Sequence, residues 1–378
     1  MIDSCTAIRY PQAWGFKREP ARPLHLRLDY CNGMRFNDSF DWDHLWYDAV
    51  QVHDNAVLLV GAPLYATKDW MMQNATFEGQ DGRQLPCQFA ELDRVCHTII
   101  TVPRQTSWIE MVTATERTRI HIHVNDRAFD NKRVMVTLQR DNPIEWIKQW
   151  MLYHINVLGV DGFLIYDNGS TGYTVEDLEA SLQHPGVAVR IVKWPYPFGP
   201  LGSDHMPWDS DYGQYAMLEH AKFRYLSGAE LVMHNDLDEL IVTKGISLKD
   251  IIGFLKGNQS QCLRYRGVWI EPYDMSRKTS ASNIPYRSRN IRDYYCTNPN
   301  NKQDMGYKWM LVPSATTMNQ QWLIHQINGR MIESNQLYYA HHLALNNNWC
   351  WKRDEFKGNE SDLIPDQLLM EKLKKMDE

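Results

Sequence analysis

Closely spaced cysteine pairs are missing from this sequence, whose seven cysteines are odd in number and scattered along 378 residues. No Cys-x-x-Cys pair occurs among them. Because zinc knuckles and secreted disulfide frameworks depend on such spacing, the sequence favours neither class. The cysteine pattern predicts a protein that works in a reducing compartment.

The chain also lacks an apolar run of about 18 residues, the length that an ordinary membrane-spanning helix needs. Its first residues do not form the successive basic, apolar and cleavage-site regions of a secretory signal. The expected location is therefore the cytoplasm, with peripheral attachment to the inner face of the membrane left open.

An excess of basic residues is missing as well. The chain has 40 lysines and arginines against 46 acidic residues, a formal net charge of -6. Since a surface that binds nucleic acid must neutralise phosphates, this balance argues against nucleic acid as a partner. With 43% hydrophobic and 23% charged residues, the composition is that of a globular protein, and the length suits two domains.

Aromatic residues, by contrast, are abundant, with 14 tryptophans and 19 tyrosines. Such residues either fill a well-packed core or stack on the C–H faces of sugars. Composition does not separate the two explanations.

The first 128 residues are predicted to be rich in β-strands. Short apolar runs at 56–60 and 98–102 end at Gly61 and Pro103, and residues 120–124 alternate in polarity. This spacing of turn residues favours a small sheet or sandwich, and no segment here has the period of a helix of useful length. A polar linker near residues 125–132 then divides the chain into a β-rich accessory domain, 1–128, and a second domain, 129–378.

The second domain alternates predicted strands and helices. Strands are expected at 134–138, 162–166 and 187–192, with helices between them. Asn142 and Glu145 are expected to form a capping box around Pro143, at the start of the first helix. A β-α-β-α-β order implies an α/β fold with a parallel sheet, whose ligands bind at the carboxyl ends of the strands.

The acidic run Asp236-Leu237-Asp238-Glu239 is the strongest chemical motif, and it directly follows an apolar strand predicted at 230–234. In an extended chain, carboxylates two residues apart lie on the same side of the backbone. Such oxygen ligands suit magnesium or manganese, which binds a diphosphate and helps it to leave. Short acidic runs are also common on solvated surfaces, but the apolar residues on both sides favour a metal site.

A second polar turn, Asp167-Asn168-Gly169-Ser170, follows the strand at 162–166. Its residue types suit a simple Asx turn in which glycine supplies a positive φ. The alternative is that the Asp167 carboxylate holds the base or ribose of a nucleotide, because the turn stands at a strand's carboxyl end.

Several motifs, in this order, resemble glycosyltransferases of the GT-A type, in particular the family 2-like proteins and the related family 92. The resemblance lies in 134–143, Glu145-Trp146, Tyr153-His154, Leu158-Gly159-Val160-Asp161, 165–171, Asp236-Leu237-Asp238-Glu239 and Tyr339-Ala340-His341-His342. It spans roughly residues 133–357 and leaves the first 128 residues uncovered.

The resemblance implies a Rossmann-like GT-A domain that moves a sugar from a nucleotide diphosphate, usually UDP, to a hydroxyl of a glycan or glycolipid. It also implies a manganese or magnesium ion and inversion at the anomeric carbon. Assembly of polysaccharide or surface glycan in the cytoplasm is the expected setting.

By the same resemblance, Asp236 and Asp238 bind the metal, and His341 completes its shell, with the adjacent His342 as the alternative. The residues expected to bind the nucleotide are Arg140, Asp141, Asp167, Asn168, Asp236 and Lys308. Lys308 is expected to reach a phosphate, or else to be a solvated lysine.

An inverting transfer also needs a general base for the acceptor hydroxyl. The candidates are Asp274, Glu271 and Glu239, in that order for the first two. Each has the alternative of being a solvated or salt-bridged carboxylate, and Glu239 has the further alternative of supporting the metal-binding loop.

Two other functional classes remain in competition. A non-catalytic carbohydrate-binding protein would keep the fold without turning over a donor. A glycoside hydrolase would need neither metal nor nucleotide, and would place two carboxyl groups about 5–10 Å apart across a glycan cleft.

Overall fold

The computed structural model describes residues 1–19, 39–200, 210–257, 262–303, 305–345 and 352–377. The chain divides into two compact units. The N-terminal unit comprises Ser4–Ala128 and Lys193–Ser227, and the C-terminal unit comprises Met1–Asp3, Phe129–Val192 and Gly228–Glu378. The sequence-based division also falls after residue 128, but it places 193–227 in the second domain, whereas the structure groups this segment with the first unit.

The helices of the described residues are short, and none of them is long and apolar enough to cross a membrane. The α-helices are α1 (Ala66–Asn74), α2 (Ile144–Tyr153), α3 (Val175–Ser181), α4 (Tyr212–Arg224), α5 (Leu248–Gly257) and α6 (Gln367–Lys374). Single turns of 3-10 helix occur at Gln12–Trp14, Ala281–Asn283, Tyr286–Ser288, Ile291–Asp293, Pro313–Ala315, Leu343–Leu345, Glu360–Asp362 and Lys375–Asp377.

The first 128 residues are rich in strands, as predicted. These strands are β1 (Ile2–Ser4), β2 (Ile8–Arg9), β3 (His44–Trp46), β4 (Asp48–His53), β5 (Ala56–Gly61), β6 (Thr76–Glu78), β7 (Gln84–Leu85), β8 (Cys87–Leu92), β9 (Val95–Thr101), β10 (Trp108–Val112) and β11 (Arg117–His121). Two antiparallel four-stranded sheets form the unit, in the orders β4-β5-β9-β8 and β11-β10-β6-β7. Trp46, Leu59 and Ile109 are fully buried in its core.

Helix α1 contradicts the expectation that this region contains no useful helix. Thr67 and Met71 are the residues of α1 that are buried. Because these two positions do not make a continuous apolar stripe, helical periodicity gives no signal in the sequence.

Helix α4 explains why residues 193–227 belong to the N-terminal unit. It packs against β4, β5 and β9, and all of its residues are buried. Asp48, at the start of β4, accepts a 2.7 Å hydrogen bond from Arg224 and lies 2.9 Å from Nε2 of His220. These buried polar contacts join α4 to β4, and no local sequence pattern predicts them.

The C-terminal unit is built on a ten-stranded mixed sheet. The strands that follow β11 in the chain are β12 (Arg133–Gln139), β13 (Gly162–Asp167), β14 (Ala188–Lys193), β15 (Leu231–His234), β16 (Glu239–Thr243), β17 (Cys262–Ile270), β18 (Tyr273–Asp274), β19 (Thr279–Ser280), β20 (Cys296–Thr297), β21 (Tyr307–Leu311), β22 (Met331–Glu333), β23 (Leu337–His342) and β24 (Ile364–Pro365). Of these, β18 pairs with β19 and β20 with β24, outside the large sheet. The sheet order is β1-β14-β13-β12-β15-β21-β17-β23-β16, with β22 beside β17. Strand β12 runs parallel to β13 and β15, and β17 parallel to β22 and β23, whereas β21 and β16 are antiparallel to their neighbours. The predicted α/β class with a mostly parallel sheet is confirmed.

The start of α2 differs from the prediction. Pro143 itself occupies the N-cap position with extended ψ, and no side chain caps the helix. Asn142 therefore stands one residue too early, and its expected capping box with Glu145 is wrong. A capping box is found instead at α3, where Thr174 and Asp177 bond to each other's backbone.

The carboxyl ends of β12, β13 and β15 meet at one edge of the sheet, because the three strands are parallel neighbours. Gln139 and Asp167 are paired residues at the ends of β12 and β13. Asp236 follows the end of β15 by two residues. The two polar turns that the sequence singles out therefore belong to the same edge.

Candidate active site

The acidic motif forms a tight turn between β15 and β16. The Glu239 amide donates to the Asp236 carbonyl at 3.1 Å, and the Asp236 amide donates to Glu239 Oε2 at 3.0 Å. The turn, unlike an extended chain, gives the two aspartates different partners. Asp236 Oδ2 faces Lys308 and Asp238 Oδ2 faces His341.

Lys308 lies inside the acidic motif. It belongs to β21, its side chain is 1% exposed, and its Nζ lies 2.7 Å from Asp236 Oδ2 and 3.2 Å from Glu239 Oε2. The alternative of a solvated lysine is therefore wrong. Burial alone would lower the pKa of Lys308, but the two carboxylates outweigh it and raise that pKa. The same ion pair outweighs burial at Asp236 and lowers the pKa of its carboxyl group.

His341 is the histidine that faces the motif. Strand β23 pairs with β16 so that His341 stands opposite Glu239. Its Nε2 lies 3.1 Å from Asp238 Oδ2, and its Nδ1 lies 3.7 Å from Glu239 Oε1. Burial would lower the pKa of His341, but the Asp238 carboxylate outweighs it and raises that pKa.

His342, the alternative, meets the motif through the backbone. Its amide donates to the Asp238 carbonyl at 2.7 Å, and its ring is fully buried. That burial lowers the pKa of His342 to about 4, which keeps its ring neutral at physiological pH. Its backbone contact with Asp238 fixes the end of β23, and with it the position of His341.

Glu239 is held from several sides. Its Oε2 accepts from the Asn235 side chain at 3.2 Å, in addition to the Asp236 amide and Lys308. Asn235 in turn accepts a 2.7 Å hydrogen bond from the Tyr265 hydroxyl. Burial is the largest influence on the pKa of Glu239 and raises it to about 7. Sequence reasoning missed Asn235, although it directly precedes the motif, and Tyr265, for which the sequence has no signal.

Asp238 and His341 fit neighbouring ligands of a divalent ion. Bonds of about 2.1 Å at right angles place two donor atoms about 3 Å apart, close to the observed separation. Glu239 Oε1 lies 3.7 Å from the second ring nitrogen of His341, an ionic contact that is longer than a hydrogen bond. Asp236, the other predicted ligand, is engaged by Lys308 in this arrangement.

A different set of residues has three donor atoms within 4.8 Å of one another. Among the described residues, these donor atoms belong to Cys5, Asp48 and His220 of the N-terminal unit. The Asp48 oxygen that faces His220 also accepts from Arg224 at 2.7 Å. Since a guanidinium already neutralises that oxygen, the set is better described as a buried ion-pair network.

The Asp167 carboxylate, in the turn after β13, is hydrogen-bonded to neighbouring side chains and backbone. Asp167 accepts from the Gln139 side chain, from Ser170 Oγ at 2.6 Å and from the Ser170 amide at 3.0 Å. This is the Asx turn that the sequence suggests. Asn168 is buried, and its amide donates to the Gln139 carbonyl at 2.8 Å. Gln139, which sequence reasoning also missed, thus orients Asp167.

Asp141 and Arg140 adjoin this turn. Asp141 has a φ of +53°, and its Oδ1 accepts from the Thr171 and Gly172 amides at 2.6 and 2.9 Å. Burial would raise the pKa of Asp141, but these amides outweigh it and lower that pKa. The Arg140 side chain is 62% exposed. The structure therefore brings Arg140, Asp141 and Asp167 together at one end of β12 and β13.

Two of the three predicted bases lie away from the acidic motif. Asp274 is fully buried in the β18–β19 hairpin, where Oδ1 accepts from Ser276 N, Ser276 Oγ and Arg277 N. Glu271 accepts from Asn301 at 2.9 Å, and burial raises the pKa of its carboxyl group. Among the described residues, neither carboxylate contacts Asp236, Asp238 or His341, whereas Glu239 lies beside them.

The sequence profile of glycosyltransferase family 92 matches residues 137–370, well over half of the chain. The matched segment contains the acidic motif, Lys308 and His341. The chain belongs to glycosyltransferase family 92. The resemblance to family 92 seen in the sequence is thereby confirmed.

A comparison with curated proteins finds no match for this family 92 chain. Among solved structures, the mannosyltransferase Ktr4p from S. cerevisiae matches with a TM-score of 0.26 and 13% identity, over 38% of this chain and 41% of that one. TarS 1-349 from S. aureus, in complex with UDP, matches with a TM-score of 0.31 and 14% identity, over 56% and 60%. Core-mannan synthase A from Aspergillus fumigatus, in an Mn/GDP form, has a TM-score of 0.31 and 9% identity, over 66% and 88%. The chain thus spans less than two thirds of Ktr4p and of TarS 1-349.

Proposed function

We propose that this family 92 protein is a metal-dependent, inverting hexosyltransferase. It moves a sugar from a nucleotide diphosphate, with UDP as the expected nucleotide, to a hydroxyl of a glycan or glycolipid. The observation that carries this proposal is the 3.1 Å approach of His341 to Asp238 in the acidic motif of a glycosyltransferase-family chain.

Asp238 and His341 hold the divalent ion in this proposal, and Asp236 lies beside them. A bound manganese or magnesium ion would neutralise charge on the leaving diphosphate, which lowers the barrier to breaking the glycosidic bond. Glu239 Oε1 lies 3.7 Å from the second ring nitrogen of His341 and supports that ring electrostatically. Because Glu239 Oε2 already has three donors, we assign it this positioning role in preference to that of general base.

The nucleotide lies at the ends of β12 and β13 in this proposal. Asp167, oriented by Gln139, contacts the nucleoside, while Asn168, Arg140 and Asp141 line its pocket. This turn and the acidic motif stand at the same edge of the parallel strands, as a nucleoside and its diphosphate require.

Release of nucleoside diphosphate from a panel of UDP- and GDP-hexoses tests the proposal. With Mn²⁺ present, the full chain is expected to hydrolyse at least one donor slowly, and chelation by EDTA to stop the release. Asp238→Asn is expected to abolish it, whereas Asp54→Asn, which changes a carboxylate that is 77% exposed, is expected to leave it unchanged.

The outcome also separates the competing classes. Glycan binding without turnover of any donor would favour a non-catalytic carbohydrate-binding protein. Cleavage of glycans without metal or nucleotide would favour a glycoside hydrolase. Either result contradicts the proposed transfer.

A further inference from the structure

A buried cation already resides inside the acidic motif. Lys308 is 1% exposed and contacts two of the three carboxylates, Asp236 at 2.7 Å and Glu239 at 3.2 Å. A buried ammonium is strongly disfavoured unless it is paired, so these contacts hold the side chain in the motif. The expected contact of Lys308 with a phosphate does not account for these two ion pairs.

The two aspartates of the motif have separate partners. Asp236 forms an ion pair with Lys308, and Asp238 faces His341. An Asp236–Lys308 pair carries no net charge, although Asp236 stands only two residues from Asp238. The sequence alone suggests that a cation at Asp238 and His341 is also attracted by the negative charge of Asp236. In the structure Lys308 neutralises that charge, so the attraction is weaker.

We propose that Lys308 is a positioning residue that sets the affinity of the Asp238–His341 site for a divalent cation, by neutralising Asp236. The inference rests on the metal site of the proposed function. It predicts opposite effects from the two members of the pair. Loss of the lysine leaves an extra negative charge and tightens cation binding, whereas loss of the aspartate leaves an extra positive charge and weakens it.

Titration of the full chain with Mn²⁺, followed by calorimetry and by the electron paramagnetic resonance signal of the free ion, tests this prediction. Lys308→Met is expected to bind Mn²⁺ about tenfold more tightly than the wild type, and Asp236→Asn about tenfold more weakly, about 1.4 kcal/mol each way. The double variant Lys308→Met/Asp236→Asn restores neutrality and is expected to come within about threefold of the wild type. Lys256→Met, at a lysine that is 53% exposed, serves as the matched control and is expected to bind like the wild type.

The double variant distinguishes charge balance from direct ligation. If it binds as weakly as Asp236→Asn, then Asp236 is itself a metal ligand and the proposal is overturned. Equal affinity of Lys308→Met and the wild type also overturns it. If Lys308→Met does not fold, because its carboxylate partners have lost their cation, the Mn²⁺ affinities of Asp236→Asn and the double variant are compared instead. The proposal then requires the double variant to bind Mn²⁺ more tightly, because it lacks the lysine that weakens binding in Asp236→Asn.

Failure of this inference is distinguishable from failure of the proposed function. A wild-type chain that binds no Mn²⁺ overturns both. A wild-type chain that binds Mn²⁺ and loses it in Asp238→Asn supports the metal site, and the pattern of the Lys308 and Asp236 variants then decides the role of the lysine alone.

Discussion

His341 Nε2 lies 3.1 Å from Asp238 Oδ2, although the two residues are 103 positions apart in the chain. The contact exists because β16, which begins at Glu239, pairs antiparallel with β23, in which His341 stands opposite Glu239. The His342 amide adds a 2.7 Å hydrogen bond to the Asp238 carbonyl. These backbone contacts hold the two residues side by side, within reach of each other's side chain.

Replacement of either member of this pair is expected to weaken Mn²⁺ binding. His341→Ala and Asp238→Asn each remove a donor atom of the proposed site, so we expect at least about a tenfold rise in the Kd, measured by calorimetry on the full chain. His184→Ala is the matched control, because Nδ1 of that ring bonds to the neighbouring Pro185 carbonyl at an exposed position. Unchanged affinity in His341→Ala would contradict the assignment of this histidine.

Tyr265→Phe tests the support beneath the acidic motif. The change removes the hydroxyl that donates to Asn235 Oδ1 at 2.7 Å and leaves this buried side-chain oxygen without that donor. We expect the free energy of unfolding to fall by about 1–3 kcal/mol in urea denaturation. Tyr273→Phe removes an exposed hydroxyl bonded to Glu360 and should cost less than about 0.5 kcal/mol. Equal stability of the two variants would contradict the supporting role of Tyr265.

The strands that build the sheet edge were predictable from the sequence. The apolar runs of β12, β13 and β15 are each followed by polar turn residues, so both Asp167 and Asp236 could be placed at carboxyl ends of strands. Local patterns of this kind depend only on neighbouring residues, which the sequence supplies directly.

Long-range pairing accounts for what the sequence did not predict. Lys308 lies in the motif because β21 inserts between β15 and β17, and Tyr265 reaches Asn235 from β17. Neither strand order nor register has a local signal around Tyr307-Lys308-Trp309. The contacts of Asp274 are local but equally unpredicted, because Oδ1 accepts from Ser276 and Arg277 in its own hairpin turn.

The stability of the protein is expected to depend on pH through His154. This ring is fully buried, with Nδ1 donating to the Trp150 carbonyl at 2.8 Å and Nε2 accepting from the Ile241 amide at 3.4 Å. Burial lowers the pKa of His154 to about 4. Below about pH 6.5 the His154 ring takes up a proton in the unfolded chain but stays neutral in the folded chain. The free energy of unfolding therefore falls as the pH falls from about 6.5 to about 4.

His154→Gln isolates this contribution, because glutamine keeps polar groups but does not titrate. The stability difference between wild type and variant is expected to shrink by roughly 3 kcal/mol between about pH 7 and about pH 4, in urea denaturation at each pH. A stability difference that stays constant between these two pH values would show that the buried ring of His154 does not titrate as described.

Gly267→Ala tests the packing of β17 against β23. A Cβ at this position would lie 2.4 Å from Cζ of Tyr339 and 2.3 Å from Cε of Met305. Tyr339 cannot easily move away, since its hydroxyl donates to the Gly306 carbonyl at 2.9 Å. We expect overpacking to lower the free energy of unfolding by about 1–3 kcal/mol, and the displacement of β23 to weaken Mn²⁺ binding in the same samples.

The matched glycine is Gly253 in α5, where a Cβ would meet nothing within 4 Å. Gly253→Ala is expected to raise the free energy of unfolding by about 0.5–1 kcal/mol, because alanine restricts the unfolded chain and favours the helix. The two Gly→Ala changes should therefore shift the urea midpoint in opposite directions. If both changes shift the midpoint upward, the ring of Tyr339 moves aside for the added methyl group at little cost. The contact between Gly267 and Tyr339 then does not fix the position of β23, the strand that carries His341.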